Sequence, residues 1–126
     1  RSFSRKLNLL LNLSEKKTHN NKKLQLNLAL NYGSKYELIQ TLKSIIKKKI
    51  EINEKNIQNN LYTRNIPDPD LLIRTGGTNR LSNFLLWQVA YSEIFFEKKM
   101  WPDFTDKDYL KILKKFKITK RNFGNI

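Results

Sequence analysis

The sequence predicts an α/β domain in which crossover helices connect the strands of a parallel sheet. Leucines alternate with other residues over Leu24–Leu30, which is the period of a strand. A second strand is predicted at Leu71–Thr75, because this short apolar run lies between turn-forming residues, as in a strand buried on both faces. Segments with helical periodicity lie between and after these strands. Strands that alternate with helices in this way are typical of a parallel sheet.

The remaining elements follow from local patterns. Ser34 and Glu37 have the spacing of a capping box, which predicts a helix whose apolar positions continue to Ile46. Thr105 is predicted to cap the last helix, over residues 106–116. Residues 83–91 are apolar almost all round, which predicts a central helix. Further helices are predicted at residues 5–14 and 54–61, a loop at 15–23 and a strand at Glu93–Phe96.

Composition limits the classes of protein but does not select one. The 126 residues, 39% of them hydrophobic, suit a single packed domain over residues 1–126. The 25 Lys and Arg against 11 Asp and Glu give a net charge of +14, which attracts phosphates, nucleic acid or acidic lipid headgroups. Lysines spread over solvated helix faces would give the same charge, so the charge alone does not choose among these partners.

Several kinds of site are excluded or disfavoured. No cysteine is present, so a disulfide framework, a cysteine nucleophile and a thiolate zinc site are excluded. His19, the only histidine, lies in a polar stretch and is expected to be an exposed loop residue. No apolar run approaches the roughly 20 residues that span a bilayer, and the first residues do not resemble a signal peptide. The chain begins with Arg1 rather than Met, so upstream sequence is expected to precede it.

The loop after the strand at Leu71–Thr75 has the composition of an anion site. Ligands gather at the carboxyl ends of parallel strands, and this loop starts at such an end. Gly76 and Gly77 are predicted to turn backbone N–H groups toward a ligand. Arg74 and Arg80 offer planar forks for oxygen atoms, and Ser82 adds a hydroxyl near a helix start.

A plainer interpretation of the same residues stays open. In that interpretation Gly76 and Gly77 only make the turn, Arg74 pairs with a buried carboxylate, and Ser82 merely caps its helix. The loop matches neither a Walker A sequence nor a dinucleotide fingerprint, because the lysine and the third glycine are absent at the required spacings.

A long run of residues resembles a known family. DLLIRTGG at 70–77, RLSNFLLWQ at 80–88, YSE at 91–93 and WPDF at 101–104 resemble the C-terminal signature of cis-prenyltransferases. That family includes undecaprenyl and dehydrodolichyl diphosphate synthases. LNLALNYG at 26–33 and RNFG at 121–124 extend the resemblance over roughly residues 24–124.

The resemblance implies a fold and a function. The chain is expected to be the C-terminal portion of a cis-prenyltransferase fold, from an enzyme that adds isopentenyl diphosphate to an allylic diphosphate such as farnesyl diphosphate. The product is a long-chain polyprenyl diphosphate. Arg74, Arg80 and Ser82 match the family residues that hold the diphosphate of isopentenyl diphosphate, while Glu93 matches a glutamate of the magnesium and subunit-interface region. A Mg²⁺ cofactor and a homodimer are implied in the same way, and no residue is assigned as the catalytic group.

The sequence departs from the family pattern in several places. The family's N-terminal phosphate loop, with its magnesium-binding aspartate, has no counterpart before Leu24, so this chain alone is expected to be inactive. Thr78 and Asn79 stand where the family usually has a glutamate followed by a variable residue. In the tail, Asn122 replaces an arginine that often precedes Phe-Gly, and Arg121 is therefore not assigned to the site.

Two other functions compete with the enzyme. A noncatalytic accessory subunit of a heteromeric prenyltransferase would fit the absent phosphate loop, although the retained Arg74, Arg80 and Ser82 argue against it. A nucleic-acid-binding module is disfavoured, because the aromatic residues are not interleaved with Lys and Arg. A polyprenyl product implies a cytoplasmic protein in contact with a membrane or, in a eukaryote, one at the endoplasmic reticulum or in a plastid-like organelle.

Overall fold

The computed structural model describes residues 3–123 and divides into two compact units. One unit ends at Leu30 and the other begins at Asn31. Assignment of residues 1–126 to a single domain stays a prediction. Gly124, the last residue of the family-like tail, lies outside the described residues.

The first unit contains helix α1, Arg5–Thr18. Ser4 caps it, because its hydroxyl accepts a hydrogen bond from the Leu7 N–H at 3.3 Å. The predicted helix is confirmed, and it extends beyond Ser14 into the segment expected to be a loop. None of its residues is buried. Within residues 3–123 no helix is both long and apolar enough to cross a membrane.

The strand predicted at Leu24–Leu30 was wrong, because the structure contains no strand there. Leu24, Leu26 and Leu28 are 80%, 76% and 64% exposed. The leucine alternation gives the segment one apolar face, but a strand also needs a neighbour that accepts and donates ladder hydrogen bonds. The described part of the chain offers this segment no such neighbour.

The second unit contains a parallel two-stranded sheet, as predicted. Leu71 lies opposite Glu93, and Arg74 lies opposite Phe96. The first strand is half-buried along its length, so the expectation of burial on both faces was wrong. The elements of this unit are α2 (Ser34–Lys47), α3 (Glu54–Gln58), β1 (Leu71–Arg74), β2 (Glu93–Phe96), a short 3-10 helix (Trp101–Asp103) and α4 (Asp106–Ile118).

The central helix predicted at residues 83–91 is absent, and the segment between β1 and β2 consists of turns. Ser82, Asn83 and Leu85 have positive φ values of 49°, 64° and 46°. A right-handed helix requires negative φ, so these residues interrupt it whatever the apolar content of the segment. Trp87 is held from another element, because its indole N–H donates to Gln58 Oε1 at 2.7 Å.

The capping box predicted at Ser34 and Glu37 was also wrong. Gly33 is the N-cap of α2, and both predicted capping residues are fully buried inside the helix. The Ser34 hydroxyl accepts a hydrogen bond from the Leu86 N–H at 3.0 Å instead. Long-range partners therefore replace the local ones that the spacing suggested.

Glu37 is the centre of a buried polar cluster. Its carboxylate accepts hydrogen bonds from the Tyr32 hydroxyl, from the Tyr62 N–H at 2.7 Å and from Gln88 Nε2 at 3.2 Å. Burial, followed by the hydrogen bond to Glu37, raises the pKa of Tyr32 to about 12. The cluster ties three separate stretches of chain together. The buried apolar residues of this unit are Ile45, Leu61, Val89 and Ile112.

The capping role predicted for Thr105 is confirmed at the start of α4. Its hydroxyl accepts from the Asp108 N–H at 3.4 Å, while Asp108 Oδ2 accepts from the Thr105 N–H at 2.9 Å. Lys99 Nζ lies 2.8 Å from the same carboxylate. The hydrogen bonds from Lys99 and Thr105 lower the pKa of Asp108 well below its ordinary value.

Acid is expected to remove the stabilising effect of Asp108. Because its pKa is lower in the folded than in the unfolded chain, the carboxylate stabilises the fold above the unfolded-state value of about 3.9. The Tm difference between the parent and Asp108→Asn should therefore be largest near neutral pH and shrink as pH falls below about 4. Thermal melts across this range measure it, with Asp106→Asn on the same helical turn as the control. A constant difference at all pH values would contradict the prediction.

Candidate functional site

The structure brings Arg74 and Ser82 together at the carboxyl end of β1. Arg74 Nη1 donates to the Ser82 hydroxyl at 3.0 Å. Arg74 Nε donates to the Thr78 hydroxyl, also at 3.0 Å. The loop of residues 75–83 thus folds back on the last residue of the strand and holds the guanidinium with two neutral hydroxyls.

We call Arg74, Thr78 and Ser82 the arginine cluster, and in the part of the chain that the structure describes no ion pair neutralises its positive charge. Among residues 3–123 the ion pairs are Lys99–Asp108 and Arg121–Asp70, so no carboxylate neutralises Arg74. The plainer interpretation, in which Arg74 pairs with a buried carboxylate, is therefore wrong on this point. Arg80 is exposed in the same loop and makes no hydrogen bond within the described range. Arg74 and the Ser82 hydroxyl can together contact an anion with several oxygen atoms, and Arg80 is a second cation in the loop that follows Arg74.

The glycine amides do not take part as predicted. The Gly76 N–H donates to the Lys99 carbonyl at 2.8 Å, and the Gly77 N–H donates to the Glu97 carbonyl at 3.0 Å. Positive φ values of 97° and 69° turn the chain toward the segment after β2. Both amides are therefore used to hold the turn, as in the plainer interpretation, and are not available to a ligand. Ser82 does not cap a helix either, since turns follow it.

A cavity of about 240 Å³ opens beside the arginine cluster. The Arg74 side chain lies at its wall, with apolar side chains around it. Its lining residues are Leu72, Ile73, Arg74, Thr75, Leu81 and Phe84. A cavity with one cationic wall and several apolar walls suits a ligand with an anionic group on a small hydrocarbon.

Thr78 is the site residue that sequence reasoning missed. Its hydroxyl accepts a hydrogen bond from Arg74 Nε, although the sequence marks Thr78 only as a departure from the family pattern. The sequence signal that could have found it is the Gly76–Gly77 turn, which returns the chain toward Arg74 four residues before Thr78.

The structure places Glu93 away from the arginine cluster. Glu93 pairs in register with Leu71, whereas Arg74 is three residues further along β1. At about 3.3 Å per residue, this separates their backbones by about 10 Å. Across residues 3–123 no group of three or more His, Cys, Asp or Glu side chains could hold a metal ion. Because Mg²⁺ bound with a substrate phosphate needs only one or two carboxylates, the magnesium role of Glu93 stays a prediction.

Arg121 lies in a contact of its own. Its Nη1 is 2.6 Å from Asp70 Oδ1, and its Nη2 donates to the Tyr91 carbonyl at 3.2 Å. The guanidinium also lies over the Phe123 ring, 4.7 Å from its centroid. The tail therefore contacts the residue before β1 and the segment before β2, rather than the arginine cluster.

Comparison with protein families decides the affiliation of this chain. A family model described as "Putative undecaprenyl diphosphate synthase" matches residues 1–124. The chain belongs to the cis-prenyltransferase family. The family predicted from the motifs is thereby confirmed.

Curated relatives support the same affiliation. The chain is 45% identical over 117 residues to an isoprenyl transferase of Thermotoga maritima, covering 89% of this chain and 50% of the relative. It is 45% identical over 127 residues to an isoprenyl transferase of Prochlorococcus marinus subsp. pastoris, covering 95% and 47%. The chain therefore spans about half the length of these family members.

Two solved structures of the family confirm the α/β fold. A probable undecaprenyl diphosphate synthase from Campylobacter jejuni matches with a TM-score of 0.86 and 40% identity, over 98% of this chain and 58% of that one. Lavandulyl diphosphate synthase from Lavandula x intermedia, solved in complex with dimethylallyl diphosphate, matches with a TM-score of 0.87 and 32% identity. That match covers 98% of this chain and 56% of the synthase.

Proposed function

We propose that this chain is the part of a cis-prenyltransferase that binds isopentenyl diphosphate for its addition to an allylic diphosphate. The contact between Arg74 and the Ser82 hydroxyl, with no neutralising carboxylate, is the observation that carries the proposal. Arg74, Arg80 and Ser82 would contact the diphosphate oxygens, as the family resemblance implies. The relatives named isoprenyl transferase support this class of reaction.

The neighbouring cavity supports isopentenyl diphosphate as the ligand. Arg74 belongs to both the arginine cluster and the cavity wall. A diphosphate held at the guanidinium would place a five-carbon chain against Leu72, Leu81 and Phe84. Inorganic diphosphate would use only the first of these contacts, so the cavity favours the isoprenoid ligand.

The reaction forms one carbon–carbon bond and breaks one carbon–oxygen bond. The double bond of isopentenyl diphosphate attacks the allylic carbon, the allylic diphosphate leaves, and a proton is lost from the isopentenyl unit. In the proposal, Arg74 and Ser82 hold the diphosphate of the attacking molecule, which stays in the product. They would fix the position of the double bond through the hydrocarbon chain, which is catalysis by orientation. A bound Mg²⁺ ion, which the family resemblance implies, would stabilise the charge of the leaving diphosphate, and Glu93 is the residue proposed to help hold it.

Calorimetric titration of isopentenyl diphosphate into the chain tests the proposal. Arg74→Ala removes a charged donor, worth about 1.5–3 kcal/mol, so affinity should fall by about 10- to 100-fold. The double variant Arg74→Ala, Arg80→Ala should show no measurable binding. Arg64→Ala, at an exposed loop arginine, is the matched control and should bind like the parent.

Circular dichroism separates loss of binding from loss of folding. A folded parent chain that does not bind isopentenyl diphosphate would contradict the proposal and favour an accessory subunit. Equal affinity in the parent and the double variant would show that the ligand binds elsewhere on the basic surface.

A further inference from the structure

We propose that Asn83 is a positioning residue that docks the loop after β1 on the first turn of α2 and thereby sets Ser82 beside Arg74. The inference rests on the proposed function, because the residues that Asn83 positions are those assigned to the diphosphate. Asn83 itself is not placed in contact with the ligand.

Asn83 makes two hydrogen bonds with main-chain donors of α2. Its carbonyl oxygen accepts from the Ser34 N–H at 2.8 Å, and its side-chain Oδ1 accepts from the Lys35 N–H at 2.8 Å. The first N–H groups of a helix have no partner within the helix. Gly33, the N-cap, has no side chain to serve them, so Asn83 caps α2 from a distant part of the sequence.

The backbone around Asn83 has a conformation that tertiary contacts must maintain. Ser82, Asn83 and Leu85 all have positive φ, which is uncommon for residues other than glycine. Such conformations persist where surrounding contacts enforce them, and they cluster at functional sites. Three hydrogen bonds hold this segment. Two run from α2 N–H groups to Asn83, and the third runs from the Leu86 N–H to the Ser34 hydroxyl.

The Asn83 side chain packs closely against Gly33, where there is no Cβ in its way. A Cβ added to Gly33 would lie 2.9 Å from Asn83 Nδ2, which is shorter than a normal contact. The φ of Gly33 is −154°, which any residue adopts, so an alanine there would act only by displacing the Asn83 amide. The chain thus offers a second way to disturb Asn83 without replacing it.

The contacts of Asn83 with α2 also fix the position of the neighbouring residue, Ser82. Ser82 is exposed, and its hydroxyl reaches Arg74 Nη1 at 3.0 Å. Because burial does not hold Ser82, the contacts of its neighbour determine where its hydroxyl lies. A loop released from α2 would separate the serine from the arginine.

Asn83→Gly and Gly33→Ala test the inference in the 126-residue chain. Glycine tolerates the positive φ of Asn83, so Asn83→Gly removes only the side-chain acceptor. Both variants should bind isopentenyl diphosphate about tenfold more weakly than the parent while keeping its circular dichroism spectrum. Asn59→Gly, at the exposed C-cap of α3, controls for the same exchange and should bind like the parent.

A ligand-free measurement keeps this inference separate from the proposed function. In ¹⁵N NMR spectra, the Arg74 Nε–H signal should shift in Asn83→Gly and Gly33→Ala. It should shift less in Asn83→Asp, which retains an oxygen acceptor for the Lys35 N–H. An unchanged Arg74 signal in the first two variants would overturn the positioning role, whatever the chain binds. If the signal shifts in these variants but the parent binds no isopentenyl diphosphate, the positioning role is supported and the proposed function is refuted.

Discussion

Replacing Glu37 with alanine is expected to lower the free energy of unfolding by about 3 kcal/mol or more. Glu37 is fully buried, and it accepts hydrogen bonds from the Tyr32 hydroxyl, the Tyr62 N–H and Gln88 Nε2. The truncation would leave these donors without an acceptor in a space that water enters poorly. Each unsatisfied buried donor costs about 1–3 kcal/mol. Urea unfolding followed by circular dichroism measures the change.

Two further variants test whether the loss of stability in Glu37→Ala comes from the hydrogen bonds to the Glu37 carboxylate. Glu37→Gln keeps the size of the side chain but exchanges one acceptor oxygen for a donor, so it should lose somewhat less stability than alanine. Glu54→Gln, at an exposed position in the first turn of α3, should lose only a few tenths of a kcal/mol. A Glu37→Ala chain as stable as Glu54→Gln would show that the cluster does not hold the second unit together.

Replacing Ile45 with alanine is expected to lower the free energy of unfolding by about 2–5 kcal/mol. Ile45 is 0% exposed, and truncation would remove buried methyl groups and leave a cavity in the core of the second unit. Thermal and urea unfolding both measure this loss. At temperatures below the unfolding transition, the affinity for isopentenyl diphosphate should stay close to that of the parent. Ile45 is not among the residues of the arginine cluster or of its cavity.

Ile46→Ala is the matched control on the same helix. Ile46 follows Ile45 directly but is 63% exposed, so its truncation should change stability by less than about 0.5 kcal/mol. The two variants have the same chemistry and differ only in burial. Similar losses at both positions would mean that the face of α2 assigned to the core is incorrect.

Elements of this chain with strong local sequence signals formed where their signals were complete and failed where a distant partner was needed. The strands at residues 71–74 and 93–96, the helix from Arg5 and the cap at Thr105 could be predicted, because their signals lie within a few neighbouring residues. The strand at Leu24–Leu30 could not, since alternation specifies a face but does not supply a pairing partner. The helix at residues 83–91 failed because Asn83 and Leu85 have positive φ, where the segment contacts the start of α2.

In the candidate site, the residues could be predicted from the sequence but their contacts could not. Arg74 and Ser82 could be named from the sequence, because a cation and a hydroxyl that follow a strand of a parallel sheet lie at its carboxyl end. Their direct contact, and the part of Thr78 in it, needed the fold of the loop. The glycine amides were misassigned because their acceptors, the carbonyls of Glu97 and Lys99, come from a segment about 20 residues further along the chain.

The sequence by itself determined the family, the α/β class and the residue types available for an anion. These properties depend on side-chain chemistry and on periods of a few residues. The tertiary structure decided which polar groups are already satisfied: Ser34, Glu37, Gly76 and Gly77 all bind protein groups, while no carboxylate neutralises Arg74 within residues 3–123. The physical reason is that a buried polar group must find a partner, and which groups come within about 3 Å of it is set by the packing of distant segments.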